Sequence, residues 1–223
     1  MKDYQIVKKN ACSTLSFRLK ALISMLPALV FCLFVQAVSA QTSKKYLPEF
    51  KPGLKVEYEV SYLQIDGTPG FSPMVLTLAT LNEKEMIWDA ITTFNDSINV
   101  KMQLINSRVA LREGTEMDWG SPNPGEIRRL GDKKTVAFFS GNFVKDLKTK
   151  NTATYDGIVY KLVPTTTKNA FSAGGKAWDA LHFVSADAKT RYWILNSTDY
   201  PLVLKVEGNT KGGPNLLLQK ITP

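Results

Sequence analysis

Two-residue alternation of apolar and polar side chains is the feature that most constrains this chain. In Lys55-Val56-Glu57-Tyr58-Glu59-Val60-Ser61-Tyr62, the residues Val56, Tyr58, Val60 and Tyr62 fall on one face, and Lys55, Glu57, Glu59 and Ser61 on the other. Successive side chains of a strand point to opposite faces, so this segment reads as a strand with one dry and one wet side. Further strands are expected at 74–81, at 86–94 with Met86, Trp88, Ala90 and Phe94 aligned, and at 98–104 with Ile98, Val100, Met102 and Leu104 aligned. Asp66-Gly67, Pro69-Gly70, Asn82-Glu83-Lys84 and Asn95-Asp96-Ser97 supply the turns between them. Connections this short imply antiparallel neighbours, because a parallel return needs a crossover of roughly a dozen residues or more.

The middle of the chain is less regular. Trp119-Gly120-Ser121-Pro122-Asn123-Pro124-Gly125 is a loop by composition, and 135–139 is a short apolar run of undecided type. A β segment is expected over 154–163 around Asp156-Gly157, followed by a loop at 165–175. Four more strands follow at 178–185, 190–195, 201–207 and 215–221. No amphipathic helix of three turns is evident after residue 40, nor any repeat of fixed period. The expectation is an all-β domain: about ten strands in a single strongly curved antiparallel sheet or open barrel, with a sandwich as the alternative.

Before residue 41 the pattern is different in kind. Residues 1–20 carry Lys2, Lys8, Lys9, Arg18 and Lys20 against Asp3, and residues 21–37 carry no charge. Val38-Ser39-Ala40 closes the segment with small or modest side chains, as a cleavage site would. The reading is a cleaved export signal at 1–40, an N-terminal arm at 41–52, and a single β domain at 53–223. Seventeen apolar residues interrupted by Pro27 are short for a permanent transmembrane anchor, which needs about 20. The product is expected to be exported from a bacterial cytoplasm, into a periplasm or beyond the cell.

Both cysteines, Cys12 and Cys32, lie within that signal, so the remaining domain has no disulfide or thiolate chemistry. At 183 residues it is long enough to be held by its core alone. Removing five bases and one acid from the totals of 28 and 20 leaves 23 and 19, a net charge of +4. Lys and Arg are scattered, and the densest cluster, at 145–150, is interrupted by Asp146 and Leu147. A nucleic-acid surface concentrates its charge and interleaves aromatics, so no nucleic-acid partner is expected.

The inventory for catalysis is thin. His182 is the one histidine, and Asp179 and Ser185, each three residues away, fall on the opposite face of its strand. One histidine without cysteine does not build a zinc, copper or haem site. Glu113, Glu116 and Asp118 are the oxygen donors considered for calcium, but they lack the alternation and glycine of a calcium loop. Glu57 and Glu59 share a polar strand face and are the candidates for a carboxylate-based hydrolase. No cofactor and no metal are expected. The aromatic and methionine side chains set in strands, Trp88, Phe94, Met102 and Trp193, together with Trp119 in its proline-rich loop, are the candidate ligand-binding residues.

Arg191-Tyr192-Trp193-Ile194-Leu195, followed by Asp199-Tyr200-Pro201-Leu202-Val203-Leu204-Lys205-Val206, resembles the last hairpin of uncharacterised exported β-rich bacterial proteins. A similar hairpin occurs in carriers of the periplasmic lipoprotein-carrier class. That resemblance covers about thirty residues, and it implies a curved sheet that holds acyl chains on its concave side, plugged by helices. The functional expectation is a non-catalytic exported protein that binds a lipid or other apolar or amphipathic ligand in its concave face. The alternative is a cell-envelope module that contacts a protein or glycan without a ligand cavity.

Overall fold

A computed structural model describes residues 45–64, 66–94, 98–120 and 123–223; the expected export signal at 1–40 and the expected turn at Asn95-Asp96-Ser97 lie outside the described residues. The alternating segments form a long meander: β1 (Lys55–Leu63), β2 (Pro69–Leu81), β3 (Glu85–Phe94) and β4 (Ile98–Ser107). After the short helix α1 (Arg108–Glu113) come β5 (Glu116–Met117), β6 (Ile127–Arg129), β7 (Lys134–Thr135) and helix α2 (Gly141–Lys150). The chain continues through β8 (Thr152–Tyr155), β9 (Ile158–Val163), β10 (Ser172–Ala173), β11 (Lys176–Ala177), β12 (Ala180–Ser185), β13 (Arg191–Leu195), β14 (Val203–Glu207) and β15 (Asn215–Thr222).

Eleven of these strands make one sheet in the order β6-β4-β3-β2-β1-β15-β14-β13-β12-β9-β8. Its pairs are antiparallel except β4 with β6, which run parallel because the 114–126 connection returns β6 to the edge in the same direction. The sheet ends at β6 and β8 and is not closed. The β-rich, antiparallel expectation therefore holds, with the correction that two helices are present among the described residues. Ser140 caps α2, its hydroxyl accepting the Phe143 N–H, and Asn151 ends it in the left-handed conformation. The helix has just under three turns and buries only Gly141, Phe143, Val144 and Leu147.

Register identifies a single inner face. Phe183 pairs with Tyr192, Tyr192 with Val206, Val206 with Leu216, and Leu216 with Val60, so all five share a face. From Val60 the same face runs through Tyr58 and Val56 to Leu76, Ala90 and Met102. Both α2 and the 137–139 segment pack here. Phe139 stacks on Phe143 with 4.6 Å between ring centres and meets Tyr155, Phe183 and Tyr192 at 4.7, 5.1 and 5.0 Å. The N-terminal arm is pinned too. Tyr46 bonds through its backbone to Ala177 and Asp179, and Phe50 lies against Trp88, Phe138 and Tyr200.

The sheet is split near its middle. β14 and β15 share only the pairs Lys205 with Leu217 and Val206 with Leu216. The start of β14 instead pairs with the 137–139 segment: Val203 N–H donates to Ala137 O at 2.8 Å, and Phe139 N–H to Pro201 O at 3.1 Å. Leu195 N–H takes the Leu202 carbonyl on the other edge, so 137–139 stands on the edge that faces β15. The apolar run 135–139 is thus a wedge in the sheet. The Tyr58 hydroxyl reaches across from β1 to donate to Val203 O at 2.6 Å, tying the two halves together.

Candidate ligand-binding face

Trp88 is on the inner face of β3, the third strand from the β6 edge. β3 places it between Leu78 of β2 and Leu104 of β4, and Phe138 and Phe50 cover it with ring centres at 6.0 and 6.5 Å. Its indole N–H is buried and has no hydrogen-bond partner. A buried donor left unpaired costs about 1–3 kcal/mol, so its persistence calls for an explanation. Met102 lies on the same face, paired with Ala90 and half-buried against the core. Phe94 ends β3 opposite Ile98.

Trp119 and Trp193 stand elsewhere. Trp119 folds back over the domain, its ring so close to Gly213 that a Cβ there would come within 2.7 Å. Its indole N–H lies near enough to Asp156 to lower that carboxyl's pKa slightly, but makes no well-aligned bond. Burial nevertheless raises Asp156 above the ordinary carboxylate range, against the opposing effect of the Met117 N–H at 2.9 Å. Trp193 follows the inward Tyr192 and points to the outer face. The five candidate residues therefore do not line one surface.

On the outer face Trp193 stacks on His182, with ring centres 4.2 Å apart and planes at 7°. Asn169 of the 164–175 loop covers the pair: its carbonyl accepts the Trp193 indole N–H at 2.9 Å, and its side-chain amide stands 3.3 Å from His182 Nδ1. Because Asn169 Oδ1 accepts the Thr166 N–H, its NH2 group faces the histidine; donation to Nδ1 puts the proton of the neutral ring on Nε2, which is buried without a partner among the described residues. Burial lowers the His182 pKa, Arg191 and Lys205 lower it further, and Glu207 opposes them. A folded-state pKa below that of a free histidine, about 6.5, means that the unfolded chain takes up the proton first. Stability should therefore fall as pH drops from about 6.5 through the folded pKa. Urea melts between neutral and mildly acidic pH should show this slope, and His182→Phe should flatten it; an equal slope in both proteins would remove the argument.

The carboxylate candidates are dispersed. Glu57 and Glu59 are on the outer face of β1, opposite Val75 and Pro73 of β2. Glu113 pairs with Arg112, Glu116 with Lys134, and Asp118 with Arg128. The last contact belongs to a half-buried network in which Arg128 also makes two 2.7 Å bonds to Glu126. Among the described residues no group of three His, Cys, Asp or Glu could hold a metal ion.

Two surface hollows have mixed polar linings. One, of about 510 Å3, is formed by Thr115, Glu116, Thr154, Tyr155, Asp156, Gly157 and Lys211. The other, of about 340 Å3, lies beside α1 and is lined by Glu83, Arg108, Leu111, Arg112, Thr198 and Asp199. Sequence reading missed the second hollow, although Arg108 and Arg112 are four residues apart, the spacing of one helix face. It also missed Phe50, because an aromatic in a proline-bearing polar arm carries no periodic signal. Comparison with protein-family models, with curated proteins and with solved structures returned no match.

Proposed function

We propose that this is an exported, non-catalytic carrier that takes a lipid, acyl chain or other amphipathic ligand against its inner face, with the sheet acting as an open barrel and the 136–150 segment as its displaceable cover. The observation that carries this reading is the unpaired, buried indole N–H of Trp88 on a mostly apolar face whose buried Ser72, Thr92 and Asn106 side chains are hydrogen-bonded within the protein. A ligand carbonyl or ester oxygen would satisfy that donor. The cover is a separate segment, joined to β14 by the Val203 and Phe139 backbone bonds and to β4 by the Val136 N–H, which donates to Asn106 Oδ1 at 2.8 Å. Phe50 and Phe138 occupy the space over Trp88, so a ligand enters by displacing them.

A brominated fatty acid should quench part of the tryptophan fluorescence, and that part should be missing in Trp88→Phe. Native mass spectrometry of the same mixture should show one bound acid. Absence of both signals would sink the carrier reading. The second reading, an envelope module that contacts a protein or glycan, is favoured by one observation: the inner face is filled by the chain's own side chains. Under that reading a partner captured by the protein should be lost on Trp119→Ala.

A further inference from the structure

Four charged residues of both signs line the hollow beside α1. Arg108 and Arg112 leave the same side of the helix, Glu83 arrives from the β2–β3 turn, and Asp199 from the connection before β14. The Arg108 guanidinium donates to the Tyr200 hydroxyl at 3.0 Å and lies 5.1 Å over that ring. Among the described residues Arg112 pairs only with its neighbour Glu113, at 3.6 Å. Among the described residues no ion pair joins Glu83 or Asp199 to either arginine, although all four share one hollow. A volume of about 340 Å3 is within the range of roughly 300–1,000 Å3 typical of small-molecule sites.

Packed aromatic rings lead inward from the edge of the hollow. Tyr200, held by Arg108, stacks on Phe50 with ring centres 4.5 Å apart, and Phe50 meets the edge of Trp88 at 6.5 Å. A column of three aromatic rings thus runs from the charged hollow to the unpaired indole N–H of the inner face.

We propose that this hollow binds a zwitterionic head group, a phosphate ester carrying a primary ammonium, whose apolar part, where it has one, follows Tyr200 and Phe50 toward Trp88. Two guanidiniums offer forked donors that match phosphate oxygens, and two carboxylates accept from an ammonium's three N–H groups. The four charges sum to zero, so a zwitterion is matched in charge, whereas a purely anionic head meets Glu83 and Asp199. A quaternary ammonium has no N–H to donate. Only the course of the apolar part rests on the carrier reading.

Calorimetric titration of the purified protein with glycerophosphoethanolamine and with glycerophosphocholine, phosphodiesters whose single negative charge balances the ammonium, tests the head-group site. Glycerophosphoethanolamine should bind about tenfold more tightly, and Arg112→Gln or Glu83→Gln should each weaken it about tenfold, as expected for loss of one charge-assisted bond. Both residues are exposed, and unchanged circular dichroism will show that the variants fold. In parallel, flotation with phosphatidylethanolamine vesicles should retain protein that phosphatidylcholine and phosphatidylglycerol vesicles do not. Binding of the soluble compound without lipid uptake would support the site, assign it a free zwitterion, and count against the carrier. Lipid uptake indifferent to head group and to Arg112→Gln would keep the carrier and overturn this inference, as would equal affinity for the two soluble compounds.

Discussion

Replacing Phe139 by alanine should cost the domain about 3–5 kcal/mol, the range for truncating a buried aromatic side chain. Phe139 is fully buried and meets Phe143, Tyr155, Tyr160, Phe183 and Tyr192, so it joins α2 to β8, β9, β12 and β13. Its backbone also forms part of the wedge that pairs with β14. Domains of this kind are stable by only about 5–15 kcal/mol in total, so the loss is a large share. For a domain of 150–250 residues it corresponds to a fall in Tm of roughly 6–20 °C. Calorimetry of wild type, Phe139→Leu and Phe139→Ala should give a graded series. A Tm within a degree or two of wild type for Phe139→Ala would mean that this cluster does not hold the two layers together.

Gly208→Ala should be the most damaging of the glycine substitutions in the turns. Gly208 follows β14 with φ of +65°, and a Cβ there would stand 2.1 Å from the Lys189 carbonyl oxygen. That oxygen belongs to the β12–β13 turn, and the next residue, Thr190, donates its hydroxyl to Gly208 O at 2.8 Å. The two turns are therefore in backbone contact, with no flexible side chain to yield. The left-handed conformation costs alanine about 1–2 kcal/mol. Forcing the turns apart adds about 1–3 kcal/mol. Gly212→Ala is the control, because Gly212 has φ of +74° but nothing within 4 Å of its would-be Cβ. Urea midpoints should rank wild type, Gly212→Ala and Gly208→Ala in falling order; equal midpoints for the two variants would show that the Lys189 contact is not strained.

The strands of the first half were legible because each keeps one wet face. In β1 the buried Val56, Tyr58 and Val60 alternate with exposed or half-exposed polar residues, and the burial follows the sequence pattern. In β13 that guide fails, since Tyr192, Trp193, Ile194 and Leu195 are all buried. Inner and outer faces are both covered there, the outer by the 164–175 loop, so nothing in Tyr192-Trp193-Ile194-Leu195 says which face holds Trp193. Helix α2 escaped for a related reason. Its buried stripe is Phe143, Val144 and Leu147, too few to show a period of 3.6, and Ser140-Gly141-Asn142 reads as a turn.

The hollow beside α1 was illegible in a stronger sense. Arg108 and Asp199 are far apart in the chain and meet because α1 and the connection before β14 flank the same end of the domain. By itself the sequence determined that the domain is a sheet of mostly antiparallel neighbours with one apolar side, because alternation and short turns are local properties written every few residues. The tertiary structure alone decided where the sheet splits, that 137–139 fills the split, which tryptophan faces inward, and which charges share a hollow. Those depend on strand register and on contacts between distant segments, and a shift of one residue in register would exchange the two faces of a strand.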